Sequence, residues 1–523
     1  MKQFKNFSKY VLAAFMIISL NACINETGTE IIPPVIEDIL GVEESYTIDQ
    51  FSTLTITPNL EIENESEVPI TYEWSINSEV VSTEEVLVYN ATKLGEFTGF
   101  LKVSASTYAS KLFPFTIRVE SVDFNKGILL LSSTSEGSML SFKNVSEEKM
   151  GKAVNVDVFK SLNPGLELGK KALSVAWMGN SLTNVGENVI DKDTDLDIYV
   201  STGEPTKVYA INPETMLSKA EVTYNGSASN FQPNYLFIPK GFQNSLWLGT
   251  IYFLGDGRDY IMAINDDGSR EFVDGDEWES LPEGAKIAEM AYTGVGNYGP
   301  IRSYFNLTTK SFIQMEAAGT YYDGSDDGMG GTVEMNNFDV TPMNILPCDG
   351  EYYSSTDGDP KSYDAWNMLL IGYNGENVTV FQVKPMDAFA DFGDAILSTS
   401  DATGHITKTS ATGVNPIKPL LYYSTADNKI GVVNYTSASF NDTYIDLGGN
   451  YEVKDIVFNT YDTNTMYVAA NNLDETSELK ATIFVYDITD PTTAKLLFKG
   501  EKAGGSVKQL VYKGNGSEYK GVE

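Results

Sequence analysis

The chain has 523 residues, with 72 acidic and 36 basic side chains and a formal charge of −36, an excess that opposes nucleic acid or anionic lipid as a partner. Its two cysteines and single histidine argue against a disulfide framework, histidine-rich zinc sites and a histidine-based hydrolase triad. The length exceeds one ordinary core, so two domains or one large repeat architecture are expected.

The chain opens with Lys2, Lys5 and Lys9, continues into the apolar run Val11 to Leu20 and reaches Ala22-Cys23. This is the layout of a signal peptide over residues 1–22. The apolar run is about half the roughly twenty residues a membrane-spanning helix needs. Leu20-Asn21-Ala22-Cys23 resembles the bacterial lipobox, with Asn21 a less usual second residue. The resemblance implies lipid on Cys23. Ile24, in place of an aspartate, points to the outer membrane, and the acidic stretch that follows is similar to surface-export signals of Bacteroidetes lipoproteins, which favours the cell surface. Residues 23–35 are polar up to Pro33-Pro34 and read as a flexible tether.

Residues 36–121 carry short segments of period two: Tyr46–Ile48, Leu54–Ile56, Ile70–Trp74, Val86–Tyr89, Thr98–Val103 and Phe115–Val119. Their number and spacing predict a small β-sandwich. Tyr72-Glu73-Trp74-Ser75-Ile76-Asn77, followed by Leu94-Gly95-Glu96-Phe97-Thr98, resembles a PKD or Ig-like module, with Trp74 read as core. Such a module behind a lipobox and ahead of a long β-rich region is similar to the PKD-like family lipoproteins of Bacteroidetes. The resemblance implies membership of a Sus-type locus. Its partners there would be a TonB-dependent transporter and its lid lipoprotein, and its role non-catalytic capture or accessory work in importing a glycan or peptide.

Residues 126–523 show no sustained helical period. An apolar strand, a polar turn and a second strand recur from Gly127, Leu196, Ser245, Ile301, Met368, Leu420 and Thr465. Seven copies at a spacing of roughly 55 residues exceed the ~40 to 50 of ordinary propeller blades and leave room for insertions. The expected architecture is all-β: an N-terminal Ig/PKD-like sandwich followed by a β-propeller of about seven blades, with a two-sheet sandwich assembly as the alternative.

Two stretches stand out as candidate sites. Asp191, Asp193, Asp195 and Asp197 alternate along the chain and could wrap calcium, the one candidate ion in a protein for which no cofactor is required. The glycine and glutamate of a complete calcium loop are absent, and a solvated acidic turn is the other reading. Ala317 to Trp366 reads as a long insertion rich in turn formers, carrying Tyr321, Tyr322, Tyr352, Tyr353, Asp357, Asp359, Tyr363 and Trp366. Aromatic rings beside carboxylates are how a protein stacks on sugars or peptide side chains while bonding their polar edges. A surface glycoside-active enzyme using carboxylates on the propeller face, or a structural or adhesive surface protein, are the alternatives.

Overall fold

The structure is a computed structural model that describes residues 35–63, 69–105, 109–181, 196–227, 231–238, 251–264, 269–274, 281, 284–296, 299–316, 338–353, 362–385, 396–459 and 462–514. It is nearly all β. Its described α-helix is a single turn and a half, Val158–Leu162, and no described helix is long and apolar enough to cross a membrane. The chain forms two compact units. Of the described residues, one takes those up to Tyr46 with Thr55–Val88 and Phe97–Ile117, and the other takes Thr47–Leu54, Tyr89–Glu96 and those from Arg118 onward.

The N-terminal strands make a five-stranded sheet in the order Ser45–Asp49, Ala109–Glu120, Gly95–Ala105, Ile70–Ile76, Glu79–Ser82. Two strand pairs accompany it, Val35–Leu40 with Asn59–Glu63 and Thr53–Ile56 with Leu87–Asn90. Trp74, Ile76, Leu101, Val103, Phe115 and Ile117 alternate with more exposed residues and are buried, the pattern of a sheet packed on one face. Trp74 is fully buried edge-on to Phe115 at 5.9 Å, and its indole N–H donates to the Glu84 carbonyl at 2.9 Å. Trp74→Ala should lower the stability of this unit by about 3–5 kcal/mol, measured as a shift in its urea transition.

From Gly127 onward seven sheets follow one another among the described residues. The first joins Gly127–Ser133 and Ser138–Asn144 to Ser506–Lys513, the last strand described. The second contains Lys171–Trp177, Ile198–Gly203, Lys207–Ile211 and Ser218–Glu221. The third contains Tyr235–Phe237, Tyr252–Gly255, Arg258–Ile264 and Arg270–Asp274, with Thr223–Tyr224 parallel to its outer edge. The fourth is Ile287–Gly296, Gly299–Asn306 and Ser311–Glu316. The fifth is Thr341–Tyr353, Ser362–Asn374, Asn377–Val383 and Ile396–Asp401. The sixth is Thr412–Val414, Leu420–Ser424, Lys429–Asn434 and Ser439–Asp446. The seventh is Tyr451–Asn459, Asp462–Asn472, Ala481–Asp487 and Lys495–Gly500.

The strands beginning at Lys171, Tyr235, Ile287, Thr341, Thr412, Tyr451 and Ser506 each lie at one edge of their sheet. Each packs against the next, and the Ser506 strand packs against both the Tyr451 and the Lys171 strands. These inner strands therefore form a ring, which is propeller-like. The ring closes because Ser506–Lys513 pairs antiparallel with Gly127–Ser133, Lys513 opposite Gly127 and Leu510 opposite Leu130. Ile128, Leu129, Leu130 and Leu131 are all fully buried, so this sheet is covered on both faces.

One device recurs along the inner strands. A register irregularity interrupts the pairing at Ala172/Ser174, Ile287/Ala291, Pro342/Asn344 and Val453/Asp455, and opposite Gln509 at Leu131/Ser132. Bulges re-aim side chains, and here polar groups reach the neighbouring inner strand. The Asp455 carboxylate accepts from the Leu510 N–H at 2.7 Å. Gln509 Oε1 accepts from the Val175 N–H at 2.9 Å and the Ser174 hydroxyl at 3.0 Å, and Ser174 Oγ accepts from the Leu236 N–H at 3.0 Å. The Ala291 N–H donates to the Tyr235 hydroxyl, and Asn344 Nδ2 donates to Thr412 Oγ1 at 3.0 Å. Gln509→Ala leaves the Val175 N–H unpaired beside the ring and should cost about 1–3 kcal/mol, read in urea denaturation. Truncation before Ser506 should abolish the cooperative melt of the second unit, followed by circular dichroism.

Candidate functional site

The seven inner strands enclose a cavity of about 380 Å³. Each strand contributes to its wall: Trp177, Phe237, Ala291, Leu346, Val414, Phe458 and Val511 come from the second through seventh sheets and then the first. Tyr235 and Asn344 add polar atoms.

Asp455 sits beside this wall. Burial raises its carboxyl to about 6, against the lowering effect of N–H donors from Leu510 and Ile456 and the charge of Lys508. Tyr235 is pushed up to about 12, first by burial and then by the Asp455 charge, against the Ala291 N–H. An acid whose folded-state pKa lies above its unfolded value favours the folded state when protonated, and that contribution is lost as pH rises through the folded value. The stability of the wild type relative to Asp455→Asn should therefore fall by on the order of 2 kcal/mol between pH 4.5 and pH 7.5, measured from paired urea titrations.

The fifth sheet differs from its neighbours in its first hairpin. Thr341–Tyr353 and Ser362–Asn374 are 13-residue strands paired out to Tyr353 opposite Ser362. The third strand of the sheet pairs only with Met368–Asn374. Cys348–Tyr353 and Ser362–Asn367 thus continue as a two-stranded ribbon past the four-stranded part. Part of the stretch read as a long insertion rich in turn formers is therefore paired strand, Thr341–Tyr353 and the start of Ser362–Asn374. Glu351-Tyr352-Tyr353 and Ser362-Tyr363-Asp364-Ala365-Trp366 are rich in strand-forming aromatics, which the surrounding Asp-Gly turn formers obscure in the sequence. The ribbon holds Tyr352, Tyr353, Tyr363 and Trp366, with Tyr352 directly opposite Tyr363 in register. Tyr321, Tyr322, Asp357 and Asp359 lie outside the described residues, as does Cys23.

The base of the ribbon is pinned by a residue the sequence did not flag. Asp349 has a backbone φ of 55°, a conformation Asp tolerates better than most residues. Its carboxylate accepts from Asn367 Nδ2 at 2.8 Å, Gln382 Nε2 at 2.6 Å and the Tyr435 hydroxyl at 2.8 Å, tying three strands of the fifth sheet to the turn after Lys429–Asn434 in the sixth. An Asp-Gly pair has the composition of an ordinary turn, so nothing in the sequence singles out Asp349-Gly350. Next to it, Cys348 is fully buried, and burial pushes its thiol far above the usual range, which leaves it protonated and poorly nucleophilic. Cys348 should resist a thiol reagent at pH 8 in the native protein and react fully in denaturant.

Asp197 is also buried, and two cations hold it: Lys219 Nζ at 2.6 Å and Arg270 Nη2 at 2.5 Å, with the Tyr199 hydroxyl donating at 3.2 Å. Calcium at Asp197 would have to displace both. Asp191, Asp193 and Asp195 lie outside the described residues, and among the described residues no three His, Cys, Asp or Glu side chains converge as a metal site. His405 pairs through Nδ1 with Asp442 at 2.8 Å and stacks on Phe440 at 4.1 Å, while the Tyr423 hydroxyl donates to the same carboxylate.

No protein-family model matches the chain, and no curated protein matches it significantly. Among solved structures, a quinonprotein alcohol dehydrogenase-like protein of Bacteroides thetaiotaomicron is similar at 14% identity over 91% of this chain and 99% of that one, with a TM-score of 0.44. A DUF4784 family protein of Bacteroides caccae is similar at 9% identity over 78% of this chain and 95% of that one, with a TM-score of 0.31. Fibronectin(III)-like modules of Clostridium thermocellum CbhA match at 13% identity over 16% of this chain and 97% of theirs, with a TM-score of 0.14.

Proposed function

We propose that this is a lipid-anchored outer-membrane protein of the cell surface in which a PKD/Ig-like module carries a seven-bladed β-propeller. On this reading it captures a glycan or peptide nutrient without chemistry, beside a TonB-dependent transporter and its lid lipoprotein. The ribbon of the fifth sheet carries the proposal. Its two 13-residue strands outreach the strand beside them and bring Tyr352, Tyr353, Tyr363 and Trp366 into one short two-stranded element. A pair of strands holds such residues at fixed spacing, as recognition of a repeating sugar or an extended peptide requires.

The test is a glycan array and a peptide pool probed with the chain lacking residues 1–22. Saturable binding without turnover is expected. The double variant Tyr352→Ala and Tyr363→Ala should bind roughly tenfold or more weakly, since each aromatic contact is worth about 1 kcal/mol. Product formation would instead support the enzyme reading. In cells, Cys23→Ala should abolish incorporation of labelled palmitate and release the protein from the membrane fraction, because several acyl chains are needed for durable anchoring.

A further inference from the structure

We propose that the cavity enclosed by the inner strands is a second, separate binding site, for a small uncharged molecule with an apolar ring face and an oxygen acceptor. Size is the first argument: about 380 Å³ falls in the roughly 300–1,000 Å³ range of small-molecule sites. The second is the wall. Leu346, Val457, Phe458 and Val511 line it and are only half-buried, so hydrocarbon from three sheets faces the enclosed space. Covering such surface is favourable by about 25 cal/mol per Å².

The third argument is what the bulge hydrogen bonds do to the backbone. The inner strands are edges, and edges normally offer unpaired peptide donors. Here the N–H groups of Val175, Leu236, Ala291 and Leu510, all lining the cavity, are bonded to Gln509, Ser174, Tyr235 and Asp455. These four peptide donors are therefore spent within the wall, and hydrocarbon and polar side chains share its surface. Of the polar side chains on the wall, Asn344 is engaged with Thr412 Oγ1 and the Ile345 N–H, and Tyr235 supplies a donor. Its hydroxyl accepts the Ala291 N–H and keeps its own proton to donate, which selects an occupant with a carbonyl, ether or hydroxyl oxygen. Asp455 beside the wall and a chain charge of −36 disfavour anions.

The probe is prodan, a neutral naphthalene with one ketone, titrated into the chain lacking residues 1–22. Saturable one-site binding with blue-shifted emission is expected. Leu346→Trp and Val511→Trp fill the cavity and should each weaken binding at least tenfold. Leu397→Trp, at a residue exposed on the outer strand of the fifth sheet, should leave it unchanged. Tyr235→Phe keeps the ring and removes the donor, and should weaken binding roughly five- to tenfold without reshaping the cavity. The anionic probe anilinonaphthalene sulfonate should bind at least tenfold more weakly than prodan. Absence of saturable binding, or binding that survives both filling variants and Tyr235→Phe, overturns the proposal. Tyr352→Ala and Tyr363→Ala should not affect prodan, so failure here is distinguishable from failure of the ribbon reading.

Discussion

The antiparallel pairing of Ser506–Lys513 with Gly127–Ser133 is the constraint on which the second unit rests. Its sheets are apolar on both faces, as the fully buried run Ile128 to Leu131 shows, so none could expose a face without a large hydrophobic cost. Each sheet needs a neighbour on either side. In a linear series the first and last would lack one, and the closing pair supplies both at once. The bulge hydrogen bonds sit on the same inner strands, where Asp455, Gln509 and Ser174 pass a contact from the seventh sheet to the first, second and third. Hydrophobic burial holds the sheets together, and these directional bonds fix their register against one another.

The same logic explains why so many ionisable groups are inward and partnered. Asp197 has Lys219 and Arg270, and Asp349 has neutral donors from Asn367, Gln382, Tyr435 and Cys348. Lys143, fully buried, donates from Nζ to the carbonyls of Lys149, Met150 and Lys152. Buried charges left alone would cost several kcal/mol each. Where the partners come from different strands, as for Asp197 and Asp349, they specify which strands may be neighbours. An acidic protein can therefore carry buried carboxylates that serve architecture.

Much of the β character was legible in the sequence, for a physical reason. Ile198–Val200, Leu369–Ile371, Leu420–Tyr423 and Ile483–Tyr486 are central strands covered on both faces, and continuous apolar or aromatic runs announce them. The inner strands were not legible. Their bulges shift the period at Ser174, Asn344 and Asp455, and Thr412–Val414 is too short to register a pattern. The Ser506 strand could not be assigned to the first sheet because its partner is almost four hundred residues away. At the candidate sites, alternation drew attention to Asp197, but its cations come from Lys219 and Arg270, whose relevance appears only when the strands are assembled. The ribbon was masked by the turn chemistry around Asp357-Gly358-Asp359.

Circular closure also sets the order in which the protein can become complete. A chain that is made from its N-terminus presents Gly127–Ser133 early and Ser506–Lys513 last, so the first sheet must wait through the synthesis of every other sheet with its inner edge unpaired. Contacts this distant in sequence form slowly, and an open apolar edge is a template for pairing with other chains. The interval between synthesis of the two strands is thus the period of greatest aggregation risk. A strand supplied in trans with the sequence of residues 506–513 would compete for the same edge during that interval.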